Sequence, residues 1–371
     1  MNPTVQKASW RSPVCAAALL GCAVLILLRP DAAAAGVKEG LTRCYNSLIP
    51  ALFPFLVLTR LILDSGAARL LGAPFAPYCR LLGIRSREAG AALAMGLLGG
   101  FAAAGCSIDA LYRRGEITAR QAEVLLCAAA GEGPAFVISA VGYAMLGSLR
   151  QGTALLCSLM LASLISAPLA ARLLTGRTGA LPPSTAAPAE AARQPDAAGL
   201  LVSAVSAAVE TMLRICGFVL LFGLLCSLLI PQGAPGWAAA LAGALLEVSA
   251  GCRAASLLEG LPSLLFCALS LSALGLSAFA QLRALLSPEI RVLPLACSRL
   301  LHFPLTCLLL QLFLRFLPGE ETTAAAAAAV ERLILPFRLP REASFFLFLL
   351  LAVFCSELVT RTPLRRKKKD V

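Results

Sequence analysis

Glu132 stands between two glycines and ahead of a proline in "GEGPAF", inside the apolar run 122–146. On insertion scales a carboxylate at mid-bilayer costs about 2.5–3.5 kcal/mol, so it must face a cavity or a partner. Two readings fit it: a protonatable or coordinating group at a helix break, or a loop residue near an interface. Glu247 has a similar setting in the short apolar segment 236–250. Glu210 and Arg214 are four residues apart in the run 200–230, on one helix face and in the favourable acid-first order for an ion pair. The sharper reading releases Arg214 towards a carboxylate ligand, which a guanidinium binds through two parallel hydrogen bonds. Arg299 and His302, three apart in the run 292–317, share a face. A titrating histidine would suit proton coupling, whereas a lone membrane histidine more often bonds a neighbouring helix. Neither of the two is placed among the candidate binding residues.

These side chains sit in a chain that is 59% hydrophobic and only 14% charged over 371 residues. Its mean hydropathy is +0.83. Several runs exceed what is needed to cross about 30 Å of hydrocarbon, so the chain reads as a polytopic helical membrane protein. The formal charge of +12 comes from basic residues flanking apolar runs and from the tail Arg365-Arg366-Lys367-Lys368-Lys369. That is the pattern of the positive-inside rule and not of a nucleic-acid module. The 14 cysteines lie singly in apolar runs without a CxxC pair, and there is one histidine. No metal site, disulfide framework or cofactor is expected. HExxH, GxSxG and Walker motifs are lacking too, and the chain does not read as an enzyme.

Apolar segments fall at 13–28, 45–63, 89–106, 122–146, 152–174, 200–230, 236–250, 262–282, 292–317 and 344–360. The first fits either a signal peptide or a short transmembrane helix, and the polytopic remainder favours the helix. Segment 89–106 is interrupted by Gly90, Gly96, Gly99, Gly100 and Gly105, and 236–250 is short; both read as re-entrant. With eight spans and two re-entrant elements, Lys and Arg fall mostly on the cytoplasmic side, whereas ten spans divide them almost evenly. Both termini are then cytoplasmic. The expected organisation is a first helix in 1–36, one repeat in 37–175, a Pro/Ala-rich cytoplasmic linker in 176–198, a second repeat in 199–315, and a last helix with a basic tail in 316–371.

The repeat rests on "AAGC" at 103–106 against "SAGC" at 249–252, and on Ala135-Phe136 against Ala278-Phe279. Glu247 then falls opposite Gly99 or Gly100. A long apolar helix precedes each copy, at 45–63 and 200–230, and the two run in opposite senses in the eight-span topology. Inverted repeats with discontinuous helices are a transporter architecture. Broken helices present backbone N–H groups at their N-terminal ends, which suits an anion; plain Gly/Ala helix packing is the alternative at each glycine. The candidate binding residues are Gly99, Gly100, Gly105, Cys106, Ser107, Gly131, Glu132, Gly133, Pro134, Arg214, Glu247, Ser249, Gly251 and Ser277.

"SLIPALFPFLVLTRLI" (47–62), "GLLGGFAAAG" (96–105), "LYRRGEITARQAEVLL" (111–126) and "GEGPAFVISAVGYAML" (131–146) occur in this order. In this the chain resembles the YlbJ, or SpoVV, family of sporulation integral membrane proteins, within the wider group sharing a gate or nucleoside-recognition domain. The resemblance implies transport of dipicolinate, a pyridine dicarboxylate, across the outer forespore membrane. Its alternatives are a nucleoside or other small polar solute, or a non-transporting scaffold. The chain departs from the family at Phe101-Ala102-Ala103-Ala104, where a proline and polar residues are usual, and at Ala129-Ala130-Gly131, where Cys-Asn-Asn is usual. The implied partners are a small solute and the lipid bilayer; oligomeric state is not readable from the sequence.

Overall fold

Several prolines and glycines inside apolar runs, among them Pro30, Gly131 to Pro134 and Gly275, fall where one helix ends and the next begins, because proline lacks a backbone donor and glycine relaxes the backbone. The computed structural model describes residues 13–64, 67–175, 197–231 and 233–317, and no strand occurs among them. Helix α1 (Pro13–Leu28) is followed by α2 (Pro30–Arg43), with Pro30 at the first position of the second helix. The axis turns by 101° between them. A π-helical turn (Cys44–Leu48) leads into α3 (Ile49–Asp64), and the short α4 (Ala68–Gly72) and α5 (Ala76–Leu81) follow. Then come α6 (Ala89–Arg113), α7 (Ala119–Ala129), a π-helical segment (Ala135–Met145) and α8 (Leu149–Thr175). The remainder is α9 (Ala197–Leu229), α10 (Gly236–Leu246), α11 (Val248–Ser256), α12 (Gly260–Ala273), α13 (Gly275–Leu285) and α14 (Leu293–Phe316).

Five helices among the described residues are long and apolar enough to cross a membrane, or six if the bent α1–α2 pair makes one span. That is fewer than the eight spans expected, and the reasons are local. The run 122–146 is interrupted between α7 and the π-helical segment. The run 45–63 opens on a π turn, which leaves α3 only 16 residues. Segment 344–360, the linker residues 176–196 and the basic tail lie outside the described residues.

Helix α6 is one of the five by length, yet it does not run straight. A Cβ built on Gly96 would lie 2.9 Å from the Ala104 Cβ, whereas eight residues of straight helix rise about 12 Å. The helix therefore doubles back, at Gly100, whose backbone (φ 79, ψ −175) is open essentially to glycine alone. Helices α10 and α11 repeat the arrangement, with Glu247 as the extended residue between them (φ −153, ψ 125) and Gly243 packed on Gly251. Both segments read as re-entrant, one from its glycines and the other from its shortness, thus form helical hairpins.

The chain divides into two compact units whose sequences interleave. One takes the described residues up to Pro50 together with Leu213–Gln281; the other takes Ala51–Met212 and the described residues from Leu282 onward. In the second unit α14 lies along α8, while α7 packs on α6 and α8. Leu93, Ile108, Leu111, Leu125, Leu126 and Leu155 are among its fully buried side chains. Backbones meet closely where glycines face each other: a Cβ on Gly72 would lie 2.8 Å from the Ala91 amide nitrogen, and one on Gly152 2.8 Å from the Gly142 Cα. In the first unit α10, α11 and α12 pack together. There α2 approaches α9 so closely that a Cβ on Gly36 would lie 2.8 Å from the Gly223 carbonyl oxygen.

Polar fastenings tie the second unit at its helix ends. The buried Asp109 accepts from the Ser287 backbone N–H at 2.6 Å and from its hydroxyl at 2.7 Å, and pairs with Arg113 at 2.6 Å. Glu123, 2% exposed, pairs with Arg291 at 2.9 Å. Thr118 and Gln121 cap the start of α7 reciprocally.

Gly83 and Gly100 share a φ of +79, but only Gly100 has atoms in the way of a Cβ, the nearest being the Gly133 nitrogen at 3.0 Å. Gly83→Ala is expected to cost about 1–2 kcal/mol, the left-handed penalty alone. Gly100→Ala should cost measurably more, read as a larger fall in melting temperature of the detergent-solubilised protein.

Candidate functional site

Each unit contains two interrupted helices whose interruptions pack on each other. In the second unit the fold-back of α6 at Gly100 rests on the break after α7. The Gly133 nitrogen and the Gly131 carbonyl oxygen lie 3.0 and 3.4 Å from a Cβ built on Gly100. Helix α7 ends where Ala130 turns extended (φ −82, ψ 101). Pro134 then starts the π-helical segment, and the Gly133 carbonyl accepts from the amides of Phe136 and Val137, both at 3.1 Å. The "GEGP" string thus ends one helix and starts another, and the second half of α6 begins beside it at Phe101.

In the first unit the α10–α11 turn meets the break between α12 and α13. Leu274 adopts a left-handed conformation (φ 65), the one non-glycine residue with positive φ among the described residues, and Gly275 follows with φ 62. A Cβ on Gly275 would lie 3.2 Å from the Glu247 nitrogen and 3.2 Å from the Leu246 carbonyl. Strained backbone of this kind costs on the order of 1–3 kcal/mol and persists only where its surroundings enforce it.

The two fold-backs correspond residue by residue: Gly96, Gly100 and Ala104 in one, Gly243, Glu247 and Gly251 in the other. This register is one residue away from the match of "AAGC" with "SAGC", and it selects Gly100, not Gly99, as the counterpart of Glu247.

What differs is the side chain at the turn. The Glu247 carboxylate caps α11, accepting from the backbone amides of Ser249 (3.1 Å) and Ala250 (2.8 Å) and from the Ser249 hydroxyl (2.6 Å). Arg43 donates to it at 2.6 Å, and both side chains are 10% exposed. Arg43 also pairs with Glu39 at 2.9 Å, which Arg253 reaches at 2.8 Å. In the second unit glycine stands at the turn, which therefore brings no carboxylate of its own.

The structure brings Gly99, Gly100, Gly131, Glu132, Gly133 and Pro134 together around one crossing, and Glu247, Ser249 and Gly251 around the other. Glu132 is half-buried there. Ser107 is fully buried and donates to the Ala103 carbonyl at 2.7 Å, a bond within its own helix. Gly105 packs on Leu282, and Cys106 is half-buried on the same helix. Ser277, two residues past Gly275, accepts from the Gln281 side chain at 3.0 Å. Arg214 lies on an exposed face of α9. No group of three or more His, Cys, Asp or Glu suited to a metal ion occurs among the described residues.

Two residues outside the candidate set prove central to the second unit. Arg299, 6% exposed, donates from Nη2 to the Ala130 carbonyl oxygen at 2.6 Å, so its guanidinium reaches the end of α7 at the break. His302, 1% exposed, lies 3.0 Å from the Ser163 hydroxyl and 3.1 Å from the Leu159 carbonyl oxygen, joining α14 to α8. Their spacing on one face was legible; that one of them points at the break was not.

Apolar helices of this number define a multi-pass helical membrane protein. Over 116 residues the chain is 28% identical to the sporulation integral membrane protein YlbJ of Bacillus subtilis (strain 168). That stretch is 31% of this chain and 28% of the relative, so the chain matches under a third of the curated relative's length. No family model matches, and no solved structure matches.

Removing the Glu247 carboxylate would leave Arg43 buried without it, and breaking such a pair typically costs about 3–5 kcal/mol. Glu247→Ala should therefore lower the melting temperature sharply. Glu247→Gln retains an oxygen for the Ser249 and Ala250 amides and should fall in between. A melting temperature indifferent to both changes would show that the pair does not hold the turn.

Proposed function

We propose that this protein is a membrane transporter of a small anionic solute, built from two repeats of opposite topology, 37–175 and 199–315, with about eight spans and cytoplasmic termini. The observation that carries the reading is the pair of crossed helix breaks within each unit, at Gly100 with Gly131–Gly133 and at Glu247 with Gly275. Interrupted helices within apolar segments cost backbone hydrogen bonds, and membranes tolerate them where protein or a water-filled cavity satisfies the freed groups. Paired discontinuous helices are where secondary transporters bind solute. The chain works as a carrier and not as an enzyme, and the residues at each crossing are its candidate solute-contacting groups.

The substrate we infer is dipicolinate, moved across the outer forespore membrane. Support comes from the resemblance carried by residues 47–146 and from the sporulation protein to which the chain is similar. A flat dianion also matches helix N-termini and buried basic groups as ligands.

Labelled dipicolinate uptake into proteoliposomes, with uridine as the comparison solute, tests the proposal. Saturable dipicolinate flux that falls at least tenfold in Gly100→Val is the expected outcome. Uridine flux without dipicolinate flux would keep the carrier and change its substrate. No flux of either from folded protein would leave the scaffold reading in its place.

A further inference from the structure

We propose that the second unit holds a carboxylate-binding subsite of its own, in which the Arg299 guanidinium is the charge partner of the ligand. The inference deepens the transport reading and rests on it for the role of the bound solute, though not for binding itself.

Among the described buried charges of this unit, Arg299 is the cation that no carboxylate meets. Glu123 is matched by Arg291, and Asp109 by Arg113 and Ser287. Arg299 is as buried as these, yet its Nε and Nη1 have no hydrogen-bond partner. Its one bond goes to a neutral acceptor, the Ala130 carbonyl. An uncompensated guanidinium away from water is strongly unfavourable, and the cost is recovered only when an anion meets it. The Cys127 thiol and the Ser298 hydroxyl lie beside it, and both donate to backbone carbonyls of their own helices, Glu123 and Leu295.

Its position identifies the anion. Ala130 is the last residue before the break, and Gly131 and Gly133 rest on Gly100, where the second half of α6 begins. The first turn of a helix carries N–H groups with no acceptor in the helix, which favour negative charge. The other unit shows a carboxylate meeting an arginine at the corresponding turn, on a different backbone: Glu247 is extended where Gly100 has a positive φ, and its carboxylate takes two amides of the α11 start and Arg43. The chain's own ligand there is a carboxylate. In the second unit the main chain of Gly131 and Gly133 takes the Cβ side of Gly100, so a carboxylate brought by the solute is met by the open Nε and Nη1 of Arg299. A nucleoside offers no such charge.

The test measures binding without transport. Purified full-length protein in detergent is titrated with pyridine-2,6-dicarboxylate, its neutral dicarboxamide, inorganic phosphate and uridine, following melting temperature and heat of binding. The dicarboxylate should bind and the dicarboxamide should not. Arg299→Lys should weaken binding about tenfold and Arg299→Met should abolish it, since a guanidinium offers a carboxylate two parallel hydrogen bonds, an ammonium a point charge and a thioether neither. Unliganded Arg299→Met should melt no lower than wild type, because it removes a buried charge with open donors; an arginine kept for structure would melt lower. Equal binding of phosphate, unchanged dicarboxylate affinity in Arg299→Met, or no binding to folded wild type would each overturn the subsite. Arginine-dependent binding without flux in proteoliposomes would keep the subsite and refute transport. Flux with a KM indifferent to Arg299 would do the reverse.

Discussion

A backbone amide or carbonyl inside an apolar medium must find a partner, and the rest of this structure follows from that requirement. Where the chain stops being helical within its oily segments, at Gly100, Ala130–Pro134, Glu247 and Leu274–Gly275, it brings two such places into contact. The contacts are made by glycines because only a residue without a Cβ lets two main chains approach so far. The flanking elements then serve to hold the breaks still: Thr118 and Gln121 start α7, Asp109 fixes Ser287, and Glu123 anchors the residues that lead into α14.

Within that common plan the two units solve their electrostatics differently. One closes its turn with its own carboxylate and its own arginine, and that arginine also pairs with the exposed Glu39. The other has a glycine at the turn and an arginine reaching the neighbouring break. The two turns thus share a hairpin plan but not a backbone conformation, extended at Glu247 and of positive φ at Gly100.

Much of this was legible in the residues. Five glycines within 89–106 signalled that the segment could not cross straight, and the shortness of 236–250 said the same of the second copy. The match of "AAGC" with "SAGC" lies one residue from the register in which the two fold-backs correspond, because both strings lie on the return arm of a hairpin and not at its turn. The span count was less legible. The run 122–146 is apolar enough to cross, and periodicity cannot tell that "GEGP" ends one helix and begins a π-helical one. The significance of Arg299 was hidden for another reason. A sequence displays acids and bases but not which pairs have already formed, and only the engagement of Glu123 and Asp109 elsewhere makes Arg299 stand apart.

The facing glycines carry a consequence for how such a chain diverges. Leucine, valine, isoleucine and phenylalanine interchange freely on surfaces that meet oil, so most of the sequence can drift without penalty. Close backbone approaches tolerate no such drift: Gly72 against the start of α6, Gly142 against Gly152, Gly36 against Gly223 and Gly243 against Gly251 constrain both members at once. Descendants of a common ancestor would then lose percentage identity quickly while keeping the spacing of these few residues. Kinship in this group is better traced by the intervals between glycines than by overall likeness.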